Sequence, residues 1–213
     1  MLFYAITDRR MLAGDEKQRR KTLIGHARKW TRGGIDFIQI REKDLDLPEL
    51  LALSRQLIEV VQEESGNSGR RPRILLNGSP EIALAVGADG VHLPGNAPSE
   101  FAAAAHAIYT GSGRQALVSR SCHAAEEAGY AQASLILFSP VFEKSLSPEP
   151  SLPGRGLSAL AEACRAAAGT PVFALGGVTA QNAQACIQAG AKGIAAIRLF
   201  LTDDWQQLRN PAL

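Results

Sequence analysis

Pro171-Val-Phe-Ala-Leu-Gly-Gly-Val178, followed by Ala189-Gly-Ala-Lys-Gly-Ile-Ala-Ala-Ile-Arg198, decides how this chain is read. An apolar run stops at two glycines. A polar, alanine-rich span of helical length follows, and then a second apolar run of small residues. The order is strand, loop, helix, strand, with Gly176 and Gly177 at the carboxyl end of the first strand. Lacking Cβ atoms, this pair can adopt positive φ and let an anion approach backbone N–H groups. A plain tight turn would use the same residues. The anion reading gains weight because the rest of the chain repeats the unit.

Working outward, Leu2–Thr7 reads as the first strand and Gln18–Arg32 as an amphipathic helix closed by Gly33-Gly34. Asp36–Ile40 is the second strand, with Arg41-Glu42-Lys43 at its exit. Leu47–Glu64 is a helix with Pro48 in its first turn, and Ser65–Arg71 reads as a loop. Strand Arg73–Leu76 ends at Asn77-Gly78, a short helix covers Pro80–Val86, and Asp89–Leu93 is the fourth strand. Helix Ser99–Ile108, strand Ala116–Ser121, helix Ala124–Gln132 and strand Ser134–Phe138 follow. Ser139–Arg155 is a Pro-, Ser- and Gly-rich loop, long enough to suggest function or mobility. Then come helix Gly156–Ala168, strand Val172–Leu175, helix Thr179–Ala189, strand Gly193–Ile197 and a final short helix over Asp203–Arg209.

Eight strand–helix alternations at a spacing of about 25 residues predict parallel βαβ units. Eight units in 213 residues suit one α/β domain, a (βα)8 TIM barrel spanning 1–213. An open doubly wound sheet is the alternative, disfavoured because no G-x-G-x-x-G turn follows the first strand. The formal charge of +2 supplies no strong field for nucleic acid or an anionic membrane. No run approaches the roughly 18 apolar residues of a membrane span. Cys122, Cys164 and Cys186 are odd in number and lack metal-ligand spacing, which suggests a reduced, cytoplasmic setting.

In a barrel, reactive groups sit at the carboxyl ends of the strands. There the second strand delivers Gln39, Arg41 and Lys43, alternating so that they can share one side. Two cations beside an amide suit a phosphorylated substrate, although Arg-Glu-Lys-Asp is also an ordinary charged turn. Asn77 binds ligand or closes a turn with Gly78. His123 follows the fifth strand, where an imidazole can shuttle protons or merely cap a helix. His92, inside an apolar strand, reads as a packed core residue, and His26 and His106 as exposed helix residues. Arg198 could meet a phosphate near the Gly-Gly loop, or a carboxylate. Glu126 and Glu127 suit a helix N-terminus. Cys122 and His123 are adjacent, which hinders a thiolate–imidazole pair.

Tyr4-Ala-Ile-Thr-Asp8, Gln39-Ile-Arg-Glu-Lys43, Gly87-Ala-Asp-Gly-Val-His-Leu93, Phe138-Ser-Pro-Val-Phe142, Ala174-Leu-Gly-Gly-Val178 and Ala189-Gly-Ala-x-Gly-Ile-Ala195 resemble, in order and over nearly the whole chain, the thiamine phosphate synthase superfamily. The resemblance implies a (βα)8 barrel in which Arg41 and Lys43 face phosphate or pyrophosphate. It implies too that Gly176 and Gly177, with Ala196, Ile197 and Arg198 at the last strand's exit, hold a thiazole phosphate.

The departures are concentrated on one function. The synthases couple a pyrimidine pyrophosphate to thiazole phosphate with Mg²⁺, using Asn-Asp after the third strand and a further Asp after the fourth. Here those places read Asn77-Gly78 and Pro94-Gly-Asn-Ala97, and glycine and alanine offer no side-chain oxygen. The pyrophosphate motif Thr-x-Thr-Lys is replaced at Lys144, Ser145, Leu146 and Ser147, and the serine at the last strand's exit by Arg198. Asn77-Gly78, Leu93-Pro94, Arg120-Ser-Cys-His123 and Gly154-Arg-Gly156 are similar to the TenI-type sister group. That likeness implies a thiazole tautomerase, with His123 as acid–base and no metal or other cofactor. Two rivals stay open. One is a synthase in which Asn77 and Asn96 help hold Mg²⁺. The other is a non-catalytic barrel that binds thiazole phosphate or a protein partner. A homo-oligomer is possible in any case.

Overall fold

The computed structural model describes residues 1–146 and 149–209. From the amino end the elements are β1 (Leu2–Ile6), α1 (Glu16–Arg32), β2 (Phe37–Ile40), α2 (Leu47–Ser68), β3 (Arg73–Asn77), α3 (Pro80–Val86), β4 (Gly90–Leu93), α4 (Glu100–Gly111), β5 (Leu117–Cys122), α5 (Ala125–Gly129) and β6 (Leu135–Phe138). They continue as β7 (Lys144–Leu146), β8 (Glu149–Leu152), α6 (Gly156–Ala166), β9 (Val172–Leu175), α7 (Ala183–Gln188), β10 (Gly193–Ala196) and α8 (Arg198–Leu201). Eight of the strands close a parallel barrel in the order β1-β2-β3-β4-β5-β6-β9-β10, and β10 returns to β1 with Phe3 opposite Ile194. This is the (βα)8 barrel that the alternation predicts.

The period-2 pleat sorts side chains into two cores. Outward residues such as Phe3, Ala5, Ile38, Val91 and Val118 pack beneath the helices. Inward residues Tyr4, Ile6, Leu75, Leu135, Leu137, Phe173 and Ala195 fill the lumen. Tyr4, Phe37 and Phe173 form an aromatic triangle with centroids 5.5–5.7 Å apart. A plug of three rings removes several hundred Å² of apolar surface from water, by order of magnitude. Room for it comes from Gly193, where a Cβ would sit 2.3 Å from the Leu2 carbonyl oxygen and 2.7 Å from Phe173.

Carboxylates secure the amino end of the barrel. Asp36 accepts from the Phe3 N–H at 2.8 Å and pairs with Arg70. Asp89 accepts from the Ile74 N–H at 2.7 Å and meets Arg71 and Arg73 at 3.0 and 3.1 Å. Between α1 and α2, buried Glu64 holds Arg32 at 2.6 Å and Arg28 at 3.1 Å.

Several local expectations change. The segment from Ser65, read as loop, continues α2 to Ser68, and Gly69 ends the helix at φ +67°. Left-handed glycine is the stop signal there, not the polarity of the preceding residues. The 139–155 loop contains an antiparallel hairpin of β7 and β8, with Lys144 opposite Leu152. Of the four positions that replace the pyrophosphate motif, Lys144–Leu146 lie on β7, and Ser147 lies outside the described residues. The seventh helix starts at Ala183 rather than Thr179, because the Thr179 N–H donates to Asn182 Oδ1 in a turn. Arg198–Leu201 is helical where no element was expected. His26, expected exposed, is half-buried and stacks on Trp30 with centroids 5.7 Å apart. Among the described residues, no helix is long and apolar enough to cross a membrane.

Candidate active site

The carboxyl ends of the strands form a polar mouth above the apolar plug. At the β2 exit the chain is held from both sides. Thr7 Oγ1 accepts from the Arg41 N–H at 2.9 Å. Glu42 turns away from the lumen, fully buried, and accepts from the Arg9 backbone N–H at 3.1 Å and its guanidinium at 3.0 Å. Arg9 also forks onto Asp44 at 2.9 and 2.8 Å and reaches Glu16 at 2.7 Å. The Asp44 bonds, with Glu16 and Glu42, raise the Arg9 pKa and keep it charged despite desolvation. This clamp fixes the turn that carries Arg41 and Lys43. Arg41 is part-buried with Nη1 3.7 Å from Asp8 Oδ2, and Lys43 is exposed in the turn after the strand.

Inside the mouth, buried Gln39 donates through Nε2 to Asn77 Oδ1 at 3.3 Å, while its Oε1 has no partner among the described residues. Beside them runs a connected polar wall. Tyr4 Oη lies 3.0 Å from Ser119 Oγ, and Ser119 Oγ lies 2.8 Å from His92 Nδ1. His92 Nε2 lies 3.0 Å from Ser121 Oγ. Burial, with a smaller contribution from the Arg41 charge, pulls the His92 pKa down to about 3, so the ring is neutral near pH 7. Reading His92 as core captures its burial and misses its role in the mouth. Tyr4, Ser119 and Ser121 also escaped the sequence reading. The signal was there in part, because Leu117, Ser119 and Ser121 alternate along β5 and share a face, and His123 is next in the alternation just past the strand end.

His123 stands at the rim, half-buried, with Nδ1 2.7 Å from the Ser139 carbonyl oxygen. A carbonyl only accepts, so Nδ1 carries the hydrogen and Nε2 of the neutral ring is the basic atom. Space beside that atom depends on Gly95, where a Cβ would stand 3.2 Å from Nε2 and 3.1 Å from Cδ2. Arg120 holds this segment by donating to the Gly95 and Ala97 carbonyls. Glu127, in the first turn of α5, accepts from the His123 backbone N–H at 2.6 Å. Cys122 points outward into the core, and burial raises its thiol pKa to about 11. It is no thiolate partner for the neighbouring ring.

Gly176 and Gly177 take φ +91° and +64°. Their Cβ positions would fall 2.7 Å from Pro140 Cα and 2.6 Å from the Glu143 carbonyl oxygen. Packing of the 140–143 segment therefore requires glycine here independently of any ligand. Ala196 ends the adjacent β10, Ile197 lies between it and α8, and exposed Arg198 opens α8, so these three positions neighbour the glycine pair.

A closed (βα)8 barrel with a polar mouth at the carboxyl ends of its strands defines the general class of (βα)8-barrel proteins. Comparison with known proteins narrows this. The family described as thiamine monophosphate synthase matches residues 3–200, and the chain belongs to it. A thiamine-phosphate synthase of Methanoculleus marisnigri is 34% identical over 194 residues, covering 91% of this chain and 84% of the relative. One of Marinobacter nauticus is 31% identical over 198 residues, covering 91% and 80%. Among solved structures, a thiamine phosphate pyrophosphorylase from Pyrococcus furiosus superposes with a TM-score of 0.74 at 25% identity, over 97% of this chain and 90% of the other.

The Mg²⁺ that the synthases use takes hard oxygen ligands in near-octahedral geometry. In this mouth Asn77 Oδ1 already accepts from Gln39, and Asn96 is exposed. Gly78 and Ala97 carry no side-chain oxygen. Asp8 is occupied by a two-pronged bond from Arg10, both contacts 2.9 Å, and by Arg41. Side-chain oxygen for a divalent ion in this mouth is thus limited to Asn77 and to Asp8, which is already paired.

Proposed function

We propose that this chain is a thiazole tautomerase of thiamin biosynthesis, acting on a thiazole phosphate carboxylate by proton transfer. The observation that carries the reading is the anchored imidazole: His123 Nδ1 donates to Ser139 and Nε2 meets the gap left by Gly95. In this mechanism Nε2 takes a proton from the non-aromatic ring of the substrate and returns one at the position that completes aromatisation. Protons and electrons balance within the substrate, so no co-reactant is needed. The Ser139 carbonyl accepts from the neutral ring and from the imidazolium alike, which keeps the base in place through the cycle. Arg41 and Lys43 face the substrate carboxylate. Gly176 and Gly177, with the backbone of Ala196, Ile197 and Arg198, receive the phosphate. The donor set, poor for Mg²⁺, suits a reaction without a metal.

The relatives, named as thiamine-phosphate synthases, favour a second reading, a synthase joining a pyrimidine pyrophosphate to thiazole phosphate. One experiment separates the two. The purified chain is given the thiazole tautomer alone, and separately both synthase substrates, with and without EDTA. Aromatisation indifferent to EDTA is the expected result. Coupling abolished by EDTA would replace this proposal with the synthase. Tight thiazole phosphate binding without either turnover would make the protein a binding barrel.

A further inference from the structure

We propose that Tyr4, Ser119 and His92 form a one-way hydrogen-bond relay that fixes the Nε2–H tautomer of His92 and presents the Ser121 hydroxyl as a donor to an acceptor atom of the bound ligand. This concerns the site of the proposed tautomerase and deepens that reading, but its geometry stands apart from the reaction. Tyr4 is fully buried and its hydroxyl touches Ser119 Oγ at 3.0 Å. Burial keeps the phenol protonated, so it has a hydrogen to place. If Tyr4 donates to Ser119, the Ser119 hydrogen goes to His92 Nδ1 at 2.8 Å. The neutral ring then carries its hydrogen on Nε2 and donates to Ser121 Oγ at 3.0 Å. Ser121, part-buried on the inner face of the barrel, is left with its own hydrogen directed toward the mouth.

The reverse order fails on satisfaction. Were Nδ1–H to donate to Ser119, Ser119 Oγ could accept from Tyr4 as well, which leaves its own buried hydrogen unpaired, or else the Ser119 hydrogen would turn to Tyr4. In that second case the buried phenol hydrogen would lack the acceptor that the first order provides, and either way a buried unpaired donor is disfavoured. The neutral state of His92 agrees with this chain, since a charged ring would donate from both nitrogens and reverse the Ser119 bond. The two mouth histidines thus hold opposite tautomers: His92 donates through Nε2, and His123 keeps Nε2 as a base.

Tyr4, Ser119 and His92 are positioning residues here, acting through Ser121. The test is imidazole nitrogen NMR on the full chain labelled with ¹⁵N-histidine, with His92 assigned through His92→Gln. The expected parent spectrum shows a neutral His92 with its proton on Nε2. Ser119→Ala should replace it by a mixture of tautomers, and Ser119→Thr, which keeps the hydroxyl, should restore the parent pattern. In tautomerisation, Ser119→Ala is expected to lower kcat/KM about tenfold, with recovery in Ser119→Thr. A parent His92 protonated on Nδ1, or a pattern untouched by Ser119→Ala, overturns the relay. The expected spectra from a protein that turns over no thiazole would leave the relay standing and remove the tautomerase.

Discussion

At the amino end of the barrel, part-buried Asp36 and buried Asp89 are held by arginines and backbone N–H groups. At the carboxyl end, His92 and His123 are held by neutral partners, two serines and a carbonyl oxygen. One end uses polar groups to fasten strands, and every bond there is closed within the protein. At the other end, beside the closed Arg9–Glu42–Asp44 clamp, the two histidine networks point a hydrogen or a lone pair into open space. The difference teaches where function is stored. Closed charge networks stabilise the barrel, and directed neutral networks leave capacity for a ligand.

The sharpest way to break this contrast is His123→Ala. It is expected to lower tautomerisation by about 10²–10⁴-fold with little change in Tm, since the ring is half-buried at the rim. Steady-state rates beside a thermal melt check it, and an unchanged rate would remove His123 from the chemistry.

The next effect is on stability against pH. His92 is pulled down from 6.5 to about 3, so the unfolded chain binds a proton more readily in that interval. The folded state should be most favoured by this group above pH 6.5 and lose a few kcal/mol, in order of magnitude, as pH falls toward 3. Urea titrations across that window should show a steeper acid loss in the parent than in His92→Gln. Equal slopes would contradict the buried neutral ring.

The smallest effect falls at the other end. Asp89→Ala orphans the Ile74 N–H and leaves Arg71 and Arg73 without their carboxylate, at a cost of about 2 kcal/mol. It should lower the denaturant midpoint and leave KM unchanged. A large KM shift would mean that the two ends are coupled.

Much of the fold was legible. Apolar runs ending at Asn77-Gly78 or Gly176-Gly177 mark strand exits, and Asp15, Asp46 and Ser79 cap α1, α2 and α3 through bonds to the backbone of Gln18, Glu49 and Ile82. Such signals act within a few residues, so a window of sequence contains them. The β7–β8 hairpin was not legible, because Pro and Ser in 139–155 suggest loop while the pairing is a property of two segments together. At the mouth, the positions of His123, Gln39, Arg41 and Asn77 could be read from their places at strand ends. Ser119 and Tyr4 were missed, and His92 was taken mainly for packing. Their partners lie 27 and 115 residues away, out of reach of any local pattern.

The sequence by itself determined the barrel, its strand order and the family, because period-2 burial and glycine exits are written in consecutive residues. Tertiary structure alone decided which atoms share hydrogens at the mouth. Closing β1 against β10 and setting the register of β4 on β5 brings Tyr4, Ser119, His92 and Ser121 into contact. A hydrogen bond reaches only about 3 Å, so its direction cannot be known until the strands that carry its ends have been placed side by side.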